Sequence, residues 1–149
     1  MKKLILSLVL FLTLSCNQSK DEINFTPQTI IPVLIGKGSL MGSENIPQQN
    51  IVISNIANWN IILNSIDAFR LAQFSETTNV DFVNFQLIAV FDKVYPSPTY
   101  EFKIASIVEN ATNIVVTVQK TLRPSIAAVV DQKFHIVKIP KTLKPVVFQ

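Results

Sequence analysis

The clearest periodic signal in the chain is the strict alternation Ile114, Val116, Val118 against Val115, Thr117, Gln119, which predicts a half-buried β-strand. Ile51 and Ile53 alternate within Gln49–Ser54 and predict another. Phe85–Phe91 is apolar except for Gln86, which fits a strand covered on both faces. Tyr100, Phe102 and Ile104 alternate, and then Ile107 and Val108 follow after a change of phase. Ala127–Val130 and Phe134–Ile139 read as further strands, with Val146–Phe148 ordered against an edge. Thr29–Ile35 is apolar around Pro32 and reads as an edge strand, because proline cannot donate to a central ladder.

One stretch carries a helical period instead. Trp59, Ile62, Leu63, Ile66 and Phe69 or Arg70 recur at three and four, and Ser54 or Asn55 is placed to cap them. Four asparagines (Asn55, Asn58, Asn60, Asn64) weaken the intrinsic propensity, so this helix depends on packing. Trp59 is expected in the core. All three glycines fall between Gly36 and Gly42, in a spacing that matches no phosphate-binding loop and predicts a turn or bulged strand. Asn110–Asn113 predicts a turn, and prolines punctuate the loops Asp92–Thr99 and Leu122–Ser125. The expected fold is mainly β (α+β): an antiparallel sheet or sandwich with one short packed helix.

The first sixteen residues obey a different logic. Lys2 and Lys3 precede an apolar run from Leu4 to Leu14, which is too short to span a bilayer and fits a secretory leader. Thr13-Leu14-Ser15 before Cys16 resembles the bacterial lipobox, whose cysteine is lipidated and becomes the first mature residue. The stretch Asn17–Glu22 resembles the lysine-plus-acidic signal that sends lipoproteins to the cell surface. The expected organisation is a leader over 1–15, a flexible tether over 16–28 and one β-rich domain over 29–149. Lipid on Cys16 supplies the membrane attachment, at about 0.8 kcal/mol per buried CH₂. The expected location is the bacterial cell envelope, at the outer membrane.

Composition changes once the leader is set aside. The 149-residue chain has 13 basic and 10 acidic residues, and two of the basic ones leave with the leader. The mature domain is then close to neutral, which gives no support for nucleic-acid binding. Six basic residues between Lys120 and Lys144 face a single acid, Asp131, a mild bias suited to a solvated strand face. Cys16 and His135 are the only cysteine and histidine, so no intrachain disulfide and no cysteine–histidine zinc site can form.

The candidate chemistry is sparse. His135 alternates out of phase with Phe134, Ile136 and Lys138, as a strand histidine does, and no nucleophile accompanies it in a recognisable motif. Asp67, Glu76, Asp81, Asp92, Glu101, Glu109 and Asp131 are scattered, without the spacing of a carboxylate pair or metal site. Asn110-Ala111-Thr112 is a formal glycosylation triplet and is read as a turn. A non-enzyme without cofactor or metal is expected.

The stretch from Pro98 to Pro124, followed by His135 to Phe148, resembles the PrcB C-terminal domain family. Those are bacterial envelope proteins, often lipoproteins, named for a subunit that stabilises a surface protease complex. The likeness extends back through the glycine segment and the Trp59 helix, over residues 33–148. It implies a non-catalytic domain that binds and stabilises a protein partner, such as a protease complex. Two family loops correspond to Pro98–Phe102 and Arg123–Ser125, both lacking the family's glycine here. They resemble superficially the G-Y loop of chagasin-type protease inhibitors. Tyr95, Pro98, Tyr100, Arg123 and Pro124 are therefore the candidate partner-contacting residues. Inhibition of an envelope protease is the alternative, and a glycan or small-ligand module built on Trp59, Tyr95 and Tyr100 is a third.

Overall fold

Leu87, Ala89 and Phe91 point to one side of a strand, while Ile88 and Val90 point to the other, and all five are buried. A strand with no solvent face must lie between two layers, and the architecture follows from that. The computed structural model describes residues 25–76, 79–96, 100–122 and 130–149. Its elements are β1 (Gln28–Thr29), β2 (Val33–Leu40), β3 (Gln49–Ile53), α1 (Ile56–Ser65), α2 (Ala68–Leu71), β4 (Phe85–Phe91), β5 (Tyr100–Glu109), β6 (Ile114–Leu122), β7 (Gln132–Pro140) and β8 (Val146–Phe148). The central sheet has the order β2-β7-β4-β3 and the outer sheet β1-β5-β6-β8. All pairings are antiparallel except β6 with β8.

The expected β-rich sandwich with a packed helical element is thus what forms, and its two cores lie on opposite faces of the central sheet. Leu87, Ala89, Phe91, Phe134 and Ile136 meet Trp59, Ile62 and Ile66 on the helical side. Ile88, Val90, Val137 and Ile139 meet Phe102, Ile104, Ile107, Ile114 and Val116 of the outer sheet. Each fully buried branched side chain contributes roughly 1.5–3 kcal/mol of transfer free energy. Trp59 is fully buried, with its ring 6.2 Å from that of Phe74.

Several local expectations hold. Asn55 caps α1, its side chain accepting the Asn58 amide at 2.9 Å. The phase change in β5 is a register shift between Ile104 and Ser106, which returns Ile107 to the inter-sheet core. Asn110–Asn113 closes a turn through a backbone bond of 2.8 Å. β2 is irregular between Leu34 and Gly36, and Gly42 adopts φ 82° in the turn that follows. A Cβ on Gly36 would stand 2.8 Å from the Phe74 ring, so the aromatic layer needs hydrogen there. β8 forms beside β6 as expected.

Four expectations are corrected. The helical period does not run on to Phe69. Ile66 turns extended and buries itself at the end of α1, Asp67 accepts the Arg70 amide to start α2, and Phe69 is left 77% exposed. Leu71 packs on the core in its place. Thr29–Ile35 is not one edge strand. The chain leaves the outer sheet after β1, crosses at Ile30–Pro32, and enters the central sheet as β2. Gln28, assigned to the tether, already pairs with Glu109, and β6 continues to Leu122, where a loop was expected to begin. Of the strand expected over 127–130, only Val130 lies within the described residues, exposed and outside any strand.

Replacing Trp59 with alanine is expected to remove about 4 kcal/mol of stability, as large buried aromatics do. Phe69→Ala should change it by less than about 0.5 kcal/mol. Urea unfolding of the two variants checks the placement of the helical layer.

Candidate functional site

Four strand ends meet at one end of the sandwich. β4 finishes beside the start of β7, with Phe91 opposite Phe134, and β5 begins where β6 finishes, with Tyr100 opposite Leu122. Tyr95 joins Asp131 through two backbone hydrogen bonds of 2.8 and 2.9 Å, tying the segment after β4 to the approach to β7. The loops expected to meet a partner leave the fold from these strand ends.

The side chains there form one cluster. The Tyr95 and Tyr100 rings meet edge to face, 5.2 Å apart at 71°. Lys120 reaches over both, its ammonium 4.0 Å from the Tyr100 ring centre. That ammonium donates to the Tyr95 hydroxyl and, at 2.9 Å, to Asp92 Oδ2. Asp92 is buried, and its other oxygen accepts the Lys93 amide at 2.8 Å. Burial works against the charge of Lys120, but Tyr95 and Asp92 outweigh it and hold the group above its ordinary range. Burial, reinforced by the negative charge of Asp92, pushes the Tyr100 phenol well above the usual tyrosine range. Asp131 is buried next to it and pairs with Lys133, which also donates to Ser39 Oγ at 2.7 Å.

Beside this cluster, an open groove of about 350 Å³ runs between β2 and β5, flanked by Lys37, Gly38, Phe102 and Lys133. Gln132 ties the start of β7 to two neighbouring segments. It is buried and donates to the carbonyls of Ile46 and Asp92 at 2.7 and 2.8 Å.

The structure brings Tyr95 and Tyr100 together, with Tyr95 half-buried and Tyr100 buried. Pro98, Arg123 and Pro124 lie outside the described residues, as does Cys16. The sequence reading missed Lys120 and Asp92. Lys120 continues the phase of Ile114, Val116 and Val118, so it is an inward-phase lysine at the mouth of the sandwich. Carrying the alternation two residues further would have found it. Trp59 is sealed in the helical core and cannot join the tyrosines on a surface, so a glycan platform loses its largest ring.

His135 belongs to a different place. Its imidazole lies between the sheets, where Nδ1 accepts the Ile104 amide at 2.8 Å, beside the bulge in β5. Burial, with Lys37 and Lys103 nearby, pushes its pKa down to about 4. A neutral acceptor is what this position uses. Among the described residues no group of three or more His, Cys, Asp and Glu side chains could hold a metal ion.

What the fold and the cluster define is a two-sheet sandwich with a charged aromatic cluster at one end. No family model, curated protein or solved structure matches the chain.

Two outcomes follow from this geometry. The unfolded chain protonates His135 near 6.5, before the folded protein does near 4. Stability is therefore full above that range, falls as pH drops from about 6.5 to 4, and levels below. The contribution is about 2 kcal/mol once the partial exposure of the ring is allowed for. His135→Asn keeps an acceptor near Nδ1 but does not titrate, so its urea midpoint should lose this pH step. For the mouth, a double-mutant cycle with Lys120→Met and Asp92→Asn should show a coupling of about 1 kcal/mol that shrinks with added salt.

Proposed function

We propose that this chain is a lipid-anchored, non-catalytic binding module of the bacterial cell envelope, which holds and stabilises a protein partner such as a protease complex. The supporting observation is the polarity of the fold. Tyr100 and Leu122 mark the end from which both candidate loops depart. The chain enters at the other end, where Gln28 pairs with Glu109 and Phe25 lies 4.3 Å from the ammonium of Lys144. β5 separates the two ends by ten residues, roughly 33 Å of strand. A tether running to lipid on Cys16 therefore leaves the loop end unobstructed.

The mouth suits a protein partner. Half-buried Tyr95 supplies contact area with little rotamer entropy to lose, buried Tyr100 backs it edge to face, and paired charges beside them favour a defined orientation. The tyrosines rest on a braced support, because Lys120, Asp92 and Gln132 fix the strand ends beneath them. Preorganisation of this kind reduces the entropy lost on docking. The likeness to the PrcB C-terminal domain family names the class of partner.

Photocrosslinking in intact cells tests this directly. A photoreactive phenylalanine analogue at Tyr95 is expected to capture a reproducible envelope protein, while the same analogue at exposed Ala111 at the tether end is not. Cys16→Ala should release the chain from the membrane fraction. Recovery of the same background proteins from both positions would defeat the binding reading. If the captured protein is a protease whose activity falls on adding the domain, the module is an inhibitor instead of a stabiliser.

A further inference from the structure

The end of the sandwich opposite the tyrosines carries its own pattern. β2 begins there with Val33 opposite Lys138, and β4 begins with Phe85 opposite Pro140, where β7 finishes. The Asn84 carbonyl accepts the Lys141 amide at 2.8 Å, and the Pro145 carbonyl accepts the Ile114 amide at 2.9 Å. These bonds gather the crossing 30–32, the loop 81–84, the turn 110–113 and the loop 141–145 at one end. Three of these four segments carry an aliphatic side chain in water. Ile31 is 87% exposed, Val83 is 81% exposed and Leu143 is fully exposed. They are the three most exposed large apolar side chains among the described residues. Leu122 and Phe69 come next and lie elsewhere, Leu122 at the mouth and Phe69 on α2. Val33 and Leu34, about half exposed, extend the apolar surface from Ile31 into β2.

The charges at this end balance. Glu76 pairs with Lys138 and Glu109 with Lys144. The Asp81 carboxylate accepts the Val83 amide and the Asn84 side chain. Lys141 donates to the carbonyls of Phe82 and Ser54. An anionic surface is therefore not repelled here. The composition also differs from that of a protein-binding hot spot, in which Trp, Tyr and Arg are enriched and Leu and Val are scarce. Aliphatic loop tips flanked by lysines suit the boundary between headgroups and acyl chains, where lysine stems lie along apolar surface and their ammonium groups stay in water. Only side chains need enter that boundary, so the loop backbones keep their water.

We propose that Ile31, Val83 and Leu143 form a second, non-covalent membrane contact, which seats this end of the domain on the lipid bilayer and holds the tyrosine mouth away from it. The choice of a bilayer rests on the anchored reading given above, and on where the chain enters the fold. Phe25 lies at this end, beside the Lys144 ammonium. Nine peptide steps separate it from Cys16, a reach of at most about 32 Å. Lipid on Cys16 therefore keeps the three loop tips close to the surface at all times. The mouth lies a further stretch of roughly 33 Å away along β5, so a domain turned mouth-down would strain the tether to its limit. Seated on its loop tips, the domain stands with its strands upright and offers the mouth to a partner at a fixed height.

Quenching by brominated lipid is the test. The full chain is purified from bacterial membranes and placed in vesicles of phosphatidylethanolamine and phosphatidylglycerol, with plain or brominated acyl chains. The native chain supplies the baseline, because Trp59 is sealed in the helical core. The added emission of Leu143→Trp is expected to fall about twofold with brominated chains, while that of Phe69→Trp stays unchanged. Adding Ile31→Ser with Val83→Ser should return at least half of the lost emission, and all these exposed-site variants should keep the native urea midpoint. Leu143→Trp emission quenched no more than that of Phe69→Trp overturns the proposal. So does quenching that Ile31→Ser with Val83→Ser leaves whole. A photoreactive phenylalanine analogue at Leu143 that captures an envelope protein in intact cells, with the tryptophan unquenched, makes this end a protein interface and overturns the bilayer contact. Intact mass spectrometry of the same preparation shows whether Cys16 carries lipid. Its absence defeats the anchored reading by itself, and quenching of that chain mixed with the vesicles still decides the loops.

Discussion

The central sheet is buried on both faces, and the other layers take their places from that. β4 and β7 offer two independent apolar surfaces, Leu87, Ala89, Phe91, Phe134 and Ile136 to one side and Ile88, Val90, Val137 and Ile139 to the other. Neither surface can be left to water at roughly 25 cal/mol per Å². α1, rich in asparagine and weak on its own, is held because Trp59 and Ile62 complete one core. The outer sheet needs only one apolar face because its inner phase completes the other. Its remaining face carries Glu101, Lys103 and Gln119.

Two-sided burial also explains where polar groups gather. An inter-sheet core must end somewhere, and at the mouth it ends in side chains that are apolar along their length and polar at the tip. Tyr100 and Lys120 occupy inward phases of β5 and β6 but deliver a hydroxyl and an ammonium to the rim. Asp92, at the exit of the central sheet, takes up that charge. The cluster that closes the core is thus the platform from which the loops depart. Within the core, His135 plays a comparable part. Its neutral ring accepts the Ile104 amide beside the β5 bulge.

How much of this was legible depended on how local each determinant is. Alternation at Ile114–Val118, the apolar run of β4 and the phase change after Ile104 are local, and each is realised where the residues place it. The proline at 32 was correctly read as foreign to a central ladder. Its role as a crossing between sheets depends on which strands lie nearby, and no local pattern contains that. Helical spacing was likewise blind to the break at Ile66. Spacing counts apolar residues, whereas the turn is decided by Asp67 capping a new start. Lys120 was passed over because its charge argued for a solvated face more loudly than its phase argued for the interior. The partner and anchor are proposals that rest on sequence likeness alone, the lipobox-like Thr13-Leu14-Ser15 before Cys16 among it.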